Sequence, residues 1–278
     1  MEFKQKTIGV LSSGGDAPGM NAAIRSVVRT ALNRNIRVLG IRRGYSGLLA
    51  RDMFEMNLRS VSDTLHRGGT ILYSARCPEF RDDKGVERGK EVCLEMGIDG
   101  LVVIGGDGSF RGARDLSLKG IPCIGIPGTI DNDIASSDYT VGFDTAVNTV
   151  MDMVDKLRDT SQSHDRCSIV EVMGRRCGDI ALHAGIACGA VAILVPEVPF
   201  SIDSIIEKMQ RTLRTGKKHF IIIVAEGVTS VGGVGTVHDI AEEFEARTGV
   251  ESRATVLGHV QRGGAPSARE RVLASEMG

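Results

Sequence analysis

Short apolar runs that end in glycine-rich polar turns recur along this chain. The clearest run, residues 101–104 (LVVI), is unbroken, which is typical of a parallel strand covered on both faces. It ends abruptly at residues 105–109 (GGDGS). A second run, at residues 121–126, ends in the same way at residues 127–133 (PGTIDND). These patterns predict buried strands that deliver polar loops to one edge of a sheet.

The rest of the chain alternates between such runs and segments with apolar residues at helical spacing, which predicts an α/β fold with mainly parallel sheets. Strands are predicted at residues 7–11, 37–41, 101–104, 121–126, 168–172, 191–195, 220–224 and 251–257. Helices are predicted at residues 20–33, 179–187 and 203–214 and in the segment that follows residue 141. Residues 81–88 are interpreted as a charged surface segment, 161–166 as a polar break and 230–236 as a glycine-rich excursion.

Composition narrows the class of protein. With 278 residues, 42% hydrophobic and 25% charged, the chain is long enough for two lobes with their own cores. A net charge of −1 argues against nucleic acid or a membrane surface as the partner. No apolar run has the length of a signal peptide core or a membrane span, and the six cysteines show no CxxC pair. We expect free thiols in a reducing cytoplasm, with a disulfide or zinc framework as the alternative.

The loops that follow the two clearest runs carry candidate chemistry. Three glycines at residues 105–108 let the backbone approach a ligand, and the helix that follows would direct its N–H groups at an anion. No neighbouring cation is expected for Asp107, as suits a Mg²⁺ ligand. A single glycine loop is equally well a tight turn, but the pair of loops predicts a phosphate and metal site. Gly15, in a further strand–loop–helix segment, is a candidate for the same chemistry.

Several candidates have a simpler interpretation. Asp131, in an Asp-Asn-Asp sequence, suits either a general base or a turn. Arg25 and Arg29 lie four residues apart on one helix face, which by itself favours a solvated basic stripe over a binding site. Single arginines elsewhere are usually surface ion-pair partners.

The ordered motifs resemble one family. In chain order they are SSGGDAPGMNAAIR, HRGGTIL, SARCPEF, GGDGS, PGTIDND, VGFDTA, EVMGR, VAEGV and TVLGHVQRGG. The GGDG loop alone is also found in NAD kinases and diacylglycerol kinases. The complete set, from residue 7 to the last residue, resembles the bacterial ATP-dependent 6-phosphofructokinases.

The resemblance implies a fold of two Rossmann-like lobes. Residues 1–141, completed by 257–278, would form the ATP-binding lobe, and residues 142–256 would form the sugar-phosphate lobe. The chain ends before the family usually does, so the resemblance also implies a truncated C-terminus. It further implies a cytoplasmic, glycolytic and allosteric enzyme that works as a homo-oligomer, expected to be a tetramer.

The implied reaction transfers a phosphoryl group from ATP, with Mg²⁺, to the 1-hydroxyl of fructose 6-phosphate. Asp131 would be the base, oriented by Thr129 and supported by Asp133, while Arg76 and Arg175 would neutralise developing charge. The residues implied for ATP are Gly15, Tyr45, Arg76, Cys77, Gly106, Asp107 (also the Mg²⁺ ligand), Gly108 and Ser109. Those implied for the sugar phosphate are Thr129, Ile130, Asp131, Arg166, Met173, Gly174, Arg175, Glu226, Arg253, His259, Val260, Gln261 and Arg262. In the family, the residues that match Arg166 and Arg253 come from a neighbouring subunit.

Two glycines bear on whether ATP or pyrophosphate donates the phosphoryl group. Gly108 and Gly128 stand where pyrophosphate-dependent relatives carry Asp and Lys. An Asp side chain at position 108 would intrude on the α-phosphate of ATP, so the resemblance favours ATP.

The resemblance also implies an effector site for ADP or GDP, and for phosphoenolpyruvate. Its residues would be Arg25, Arg29, Arg158, Gly189, Ala190, Val191, Thr215, Lys217, Lys218 and His219. Val191 replaces a common metal-binding Glu, and Thr215 replaces a basic residue, so we hypothesise weakened activation by ADP. The alternatives to the kinase are another GGDG-type kinase and a non-catalytic or regulatory nucleotide-binding subunit.

Overall fold

The structure, a computed structural model, describes residues 5–231 and 235–278. The centre of the predicted glycine-rich excursion, residues 232–234, lies outside the described residues. The chain divides into two compact units. The first consists of Met1–Ile130, Ile134–Thr145 and Arg262–Gly278, and the second consists of Asp131–Asp133 and Ala146–Gln261. The sequence predicts these boundaries near residues 141 and 257, with residues 131–133 in the first lobe.

The first unit is built on a six-stranded sheet in the order β3-β2-β1-β4-β5-β6. All neighbouring strands are parallel except β3, which runs antiparallel to β2. The strands are β1 (Thr7–Ser13), β2 (Arg37–Ile41), β3 (Met53–Met56), β4 (Gly100–Gly105), β5 (Cys123–Thr129) and β6 (Val141–Gly142). The helices of this unit are α1 (Met20–Asn33), α2 (Gly44–Ala50), α3 (Asp83–Glu95), α4 (Asp107–Leu118) and α10 (Ala268–Met277).

The second unit is built on a four-stranded parallel sheet in the order β10-β7-β9-β8. Its strands are β7 (Cys167–Val172), β8 (Ala192–Leu194), β9 (Phe220–Ala225) and β10 (Ser252–Val256). The helix α5 (Phe143–Ser163) begins in the first unit and continues into the second. The second unit also holds α6 (Asp179–Ala187), α7 (Ile202–Leu213), α8 (Glu226–Val231) and α9 (Val237–Thr248).

Burial explains why these segments are strands. Every residue of β9 is buried, as expected for an apolar central strand covered on both faces. In β4 the apolar residues Leu101, Val103 and Ile104 are at most 2% exposed. The prediction of mainly parallel α/β sheets is therefore confirmed.

Two predictions of local structure are wrong. Residues 81–88 are not merely a charged surface segment, because α3 starts at Asp83, with the Asp82 side chain accepting from the Gly85 N–H (2.8 Å). Val86 and Cys93 of α3 are buried in the core of the first unit. The polar break predicted at 161–166 is shorter than expected, since α5 continues to Ser163.

All six cysteines are free thiols. Burial raises the pKa of Cys93 and of Cys167 to about 12, so both remain protonated and unreactive near neutral pH. No helix among the described residues is long and apolar enough to cross a membrane.

A buried carboxylate on α10 holds the start of α5. Glu270 is 0% exposed, and its Oε2 accepts hydrogen bonds from the backbone N–H and the hydroxyl of Thr145, both at 3.2 Å. The hydroxyl of Ser267, the N-cap of α10, donates to Asp144. The two helices are therefore joined by hydrogen bonds that satisfy N–H groups at the start of α5.

Replacing Glu270 by glutamine is expected to change how stability depends on pH. Burial is the main cause that raises the pKa of the Glu270 carboxyl above its usual range. A raised pKa means that the native state binds the proton more tightly than the unfolded state does. The stability that protonated Glu270 contributes is therefore present at low pH and is lost as the pH rises through the folded pKa. The free energy of unfolding of the wild type, relative to Glu270→Gln, should therefore fall in urea titrations as the pH rises above the usual pKa of a glutamate, about 4.3.

The matched control is Glu276→Gln, which removes an exposed carboxylate from the same helix. The difference in stability between the wild type and Glu276→Gln gives the baseline for the same pH series. A difference between wild type and Glu270→Gln that stayed constant with pH would contradict the expectation.

Candidate active site

The glycine loop after β4 and the polar loop after β5 begin at the same edge of the first sheet. β4 and β5 are parallel neighbours, with Gly105 opposite Pro127. A Cβ added at Gly106 would lie 3.6 Å from the Cβ of Thr129. The predicted meeting of the two loops at one sheet edge is therefore seen within the first unit.

Ser109 ties this glycine loop to the end of β1. The residue is 5% exposed, and its hydroxyl donates to the carbonyl of Ser13 at 3.0 Å. Gly14, the next residue, has a φ of 88°, a value that favours glycine. Ser109 thus lies beneath the predicted phosphate loops and fixes them to each other.

Tyr45 lies under the same loop. It is 4% exposed, its ring stacks on Phe80 with centroids 4.1 Å apart, and its hydroxyl donates to the carbonyl of Ser109 at 2.6 Å. Burial strongly raises the pKa of the hydroxyl, which therefore remains a donor. The structure gives Tyr45 a supporting position in the core, beneath the residues predicted to contact ATP.

Asp107 has a neighbouring cation, so the expectation that it has none is wrong. α4 begins at Asp107, which places Arg111 one turn later on the same face, 2.9 Å from the carboxylate. The Asp107 side chain remains 44% exposed. Among the described residues, no group of three or more His, Cys, Asp or Glu side chains is arranged to hold a metal ion.

Arg262 lies against the loop that holds Gly15. Its Nη1 donates to the carbonyl of Asp16 at 3.1 Å, and a Cβ at Gly15 would lie 2.6 Å from the same nitrogen. The resemblance assigns Gly15 to ATP and Arg262 to the sugar phosphate. The structure brings these two residues together within the first unit.

The remaining nucleotide candidates of the first unit differ in exposure. Arg76 is exposed, whereas Cys77 is half-buried and packs against the core. A Cβ at Gly108 would meet no atom within 4 Å. A Cβ at Gly128, which is buried, would lie 3.0 Å from Ile104.

In the second unit, residues 131–133 lie in a loop outside the helices and strands. Asp131 is 6% exposed, and Asn132 adopts a left-handed conformation with a φ of 53°. The Asp133 carboxylate lies 3.8 Å from Nη1 of Arg175, which is long for an ion pair. The side-chain amide of Asn132 donates to Oδ2 of Asp179 at 2.8 Å.

Side chains from other elements hold the loop between β7 and α6. Oε1 of Glu226 accepts from the N–H groups of Gly174 (3.2 Å) and Arg175 (2.5 Å). These donors sit at φ values of 138° and 61°. Gln261 is 0% exposed, and its Oε1 accepts from the Met173 N–H at 3.1 Å. Gln261 therefore holds this loop from beneath, while the Arg175 side chain is exposed.

A single carboxylate brings together two of the predicted sugar-phosphate cations. Glu251 contacts Arg166 at 2.8 Å and also pairs with Arg253. Glu245 makes a further ion pair with Arg253 at 3.5 Å. His259 and Val260 are exposed in the 3₁₀ turn Gly258–Arg262. The sequence did not single out Glu251, although it lies directly before β10.

The predicted effector residues fall in both units. Arg25 is half-buried and Arg29 exposed on α1, in the first unit. In the second unit, Arg158 donates to the carbonyl of Cys188, and Lys208, which the sequence did not single out, donates to the carbonyl of Val191 at 2.7 Å. The other candidates of this unit lie in two turns that flank strands β8 and β9, namely Gly189, Ala190, Thr215, Lys217, Lys218 and His219.

The sequence also did not single out Asp179 or Glu197. Asp179 accepts from Asn132, and Oε1 of Glu197 accepts from the Gly178 N–H at 2.7 Å. The available signal was the position of Asp179 as the first residue of a helix directly after a glycine, but nothing in the sequence indicated its partner.

Comparison with known proteins gives a consistent result. A family model described as Phosphofructokinase matches residues 7–278. The ATP-dependent 6-phosphofructokinases of Finegoldia magna and Clostridium tetani are 57% and 59% identical over 273 residues, which cover 98% of this chain and 84% of each relative. The structure of phosphofructokinase from Saccharomyces cerevisiae superposes with a TM-score of 0.90 at 39% identity, over 98% of this chain and 40% of the yeast chain.

Proposed function

The chain belongs to the phosphofructokinase family, and on that premise we propose that it transfers the γ-phosphoryl group of ATP to the 1-hydroxyl of fructose 6-phosphate. The relatives that are 57% and 59% identical are named for this activity, which supports the assignment. The observation that carries it is the placement of the GGDGS and PGTIDND segments, which begin in the last residues of two neighbouring parallel strands and continue beyond them. The product is fructose 1,6-bisphosphate, an intermediate of glycolysis.

In this proposal the first unit holds the nucleotide. The first turn of α4 has no side-chain cap, so its N–H groups suit phosphate oxygens, and the open position at Gly108 leaves room for them. Asp107 fits Mg²⁺, because its carboxylate is exposed and Mg²⁺ usually takes one or two carboxylates together with substrate phosphates. Bound Mg²⁺ would screen the phosphate charge. The other residues proposed to contact the nucleotide are Gly15, Gly106 and the exposed Arg76. The residues proposed to support this binding site from the protein interior are Tyr45, Cys77 and Ser109.

In this proposal the second unit supplies most of the residues for the sugar phosphate, while Thr129, Ile130, Arg262 and Arg76 belong to the first unit. Asp131 accepts the proton of the 1-hydroxyl, and Arg175 and Arg76 neutralise charge that develops on the transferred group. Asp133 lies near Arg175, which would favour a fixed orientation of that side chain. The remaining proposed contacts follow the family pattern and comprise Thr129, Ile130, Arg166, Met173, Gly174, Glu226, Arg253, His259, Val260, Gln261 and Arg262.

Regulation and assembly are further parts of the proposal. We propose a cytoplasmic homotetramer in which Arg166 and Arg253 serve the site of a neighbouring subunit, where a sugar phosphate would compete with Glu251 for them. A nucleotide or phosphoenolpyruvate would bind at the predicted effector residues. Because Val191 supplies no carboxylate and Lys208 lies beside it, we propose that Mg-ADP activates this protein weakly.

The experiment that tests the proposed function measures fructose 1,6-bisphosphate formation with Mg²⁺, fructose 6-phosphate and either ATP or pyrophosphate. We expect ATP to be the better donor. Gly108→Asp should lower turnover with ATP by more than about tenfold, because the new carboxylate enters the open position beside Asp107 and repels the phosphates.

Gly108→Asn is the matched control, since it adds a side chain of similar size at the same open position without the negative charge. It should lower turnover with ATP less than Gly108→Asp does. No product from the wild type with either donor would overturn the proposed function, and faster turnover with pyrophosphate would overturn the choice of donor.

A further inference from the structure

Asn132 is held in an unusual conformation between the two carboxylates of the PGTIDND segment. Its φ of 53° lies in the left-handed region, which asparagine tolerates better than most residues but which still costs free energy. Its side-chain amide donates a hydrogen bond of 2.8 Å to the carboxylate of Asp179. A hydrogen bond from a neutral donor to a charged acceptor is stronger than one between two neutral groups.

Asp179 is itself fixed in space. It is the first residue of α6, and the preceding Gly178 N–H donates to Glu197 at 2.7 Å. A Cβ at Gly178 would lie 2.5 Å from Cβ of Val195, so the backbone here is closely packed. Nδ1 of His183 lies 2.9 Å from the Asp179 carbonyl. The acceptor that Asn132 uses is therefore anchored at the start of a helix.

The backbone angles of Asn132 determine how the side chains on either side of it are oriented. Asp131 is 6% exposed, whereas the Asp133 carboxylate points towards Arg175. If Asn132 returned to an extended conformation, Asp133 would swing away and the direction of Asp131 would change. A contact that fixes Asn132 thus fixes both carboxylates.

We infer that Asp179 is a positioning residue for the reaction, and that it acts through Asn132 to orient Asp131 and Asp133. The inference rests on the proposed function, in which Asp131 is the base. Asp179 does not need to touch the substrate, because its effect is transmitted by the hydrogen bond to Asn132. The competing explanation is that Asp179 only stabilises the N-terminus of α6, where acidic residues are favoured.

The test compares Asp179→Ala with Asp179→Asn. Asp179→Ala removes the acceptor and should lower kcat about 10- to 100-fold with little change in the KM for ATP. Asp179→Asn keeps a carbonyl oxygen that accepts from Asn132, so it should recover most of kcat. Asp203→Ala, which removes an acidic residue from the first turn of α7, is the control and should leave kcat unchanged.

A double-mutant cycle shows whether the effect passes through Asn132. Asn132→Gly keeps the positive φ accessible but removes the amide donor, so it should lower kcat by itself. Adding Asp179→Ala to Asn132→Gly should then cause no further loss. A full additional loss in the double variant would show that Asp179 acts separately, and would overturn the inference.

Hydrogen–deuterium exchange provides a measurement that does not depend on activity. The peptide that covers residues 129–135 should exchange faster in Asp179→Ala than in the wild type, Asp179→Asn or Asp203→Ala. Unchanged exchange together with unchanged kcat in Asp179→Ala would overturn the inference. A wild type that forms no product would instead overturn the proposed function, and exchange would still decide the role of Asp179.

Discussion

Asp131→Ser is expected to lower turnover about 10²- to 10⁴-fold, which is the range that a general base contributes. Serine keeps a small polar side chain at a position that is 6% exposed, so the variant should fold. It lacks a carboxylate that could accept the proton of the sugar hydroxyl. Because the nucleotide residues are proposed to lie in the first unit, the affinity for ATP should change little.

Two measurements check this expectation. Steady-state formation of fructose 1,6-bisphosphate gives turnover, and isothermal titration calorimetry gives the ATP affinity. Asp138→Ser is the matched control, because Asp138 is an exposed aspartate in the segment that follows the same strand. Turnover in Asp131→Ser equal to that of Asp138→Ser would rule out Asp131 as the base.

The second large effect concerns stability, and we expect it for Gly47→Ala. Gly47 is buried in α2, and a Cβ there would lie 1.5 Å from the carbonyl oxygen of Arg42 and 2.7 Å from its carbonyl carbon. Both atoms are backbone, so the turn between β2 and α2 would have to move. Overpacking of this kind should cost about 3 kcal/mol or more.

Thermal unfolding followed by circular dichroism measures the loss. About 3 kcal/mol corresponds to a fall of several degrees in the melting temperature of a protein of this size. Gly108→Ala is the control, because a Cβ at Gly108 meets nothing within 4 Å. Equal melting temperatures for the two variants would show that the chain around Gly47 adapts without cost.

The strand pattern predicted the fold well because buried parallel strands leave an unmistakable signal. The run at 101–104 forms the centre of β4, and the run at 220–224 forms all of β9 except its last residue. The predicted phosphofructokinase fold is confirmed by the superposition on the yeast enzyme. In contrast, the sequence did not predict α3. Only a few of its residues face the core, and they are separated by many charged residues in the sequence DKGVERGKEVCLE.

For the candidate site, the sequence predicted which segments take part but not how their residues are buried or which residues they contact. Glycine loops and carboxylates are visible in the sequence, but which of them lie beneath the surface is decided by packing. Gln261 and Tyr45 are buried because neighbouring elements surround them, whereas the exposed Asp107 has an ion pair because α4 places Arg111 four residues later. The Asn132–Asp179 hydrogen bond joins residues that are far apart in the chain, so local spacing could not reveal it.

The division of the chain into units also bears on the order in which the protein can be completed during synthesis. Within this sequence the residues of the second unit end at Gln261, whereas the first unit also includes α10, which comes later in the chain. Until α10 emerges from the ribosome, Thr145 lacks the carboxylate of Glu270, and α1 lacks the Ser275 carbonyl that accepts from Ser26. Since domains generally fold as units while the chain grows, the first unit should take up α10 only after residues 146–261 of the second unit have been synthesised.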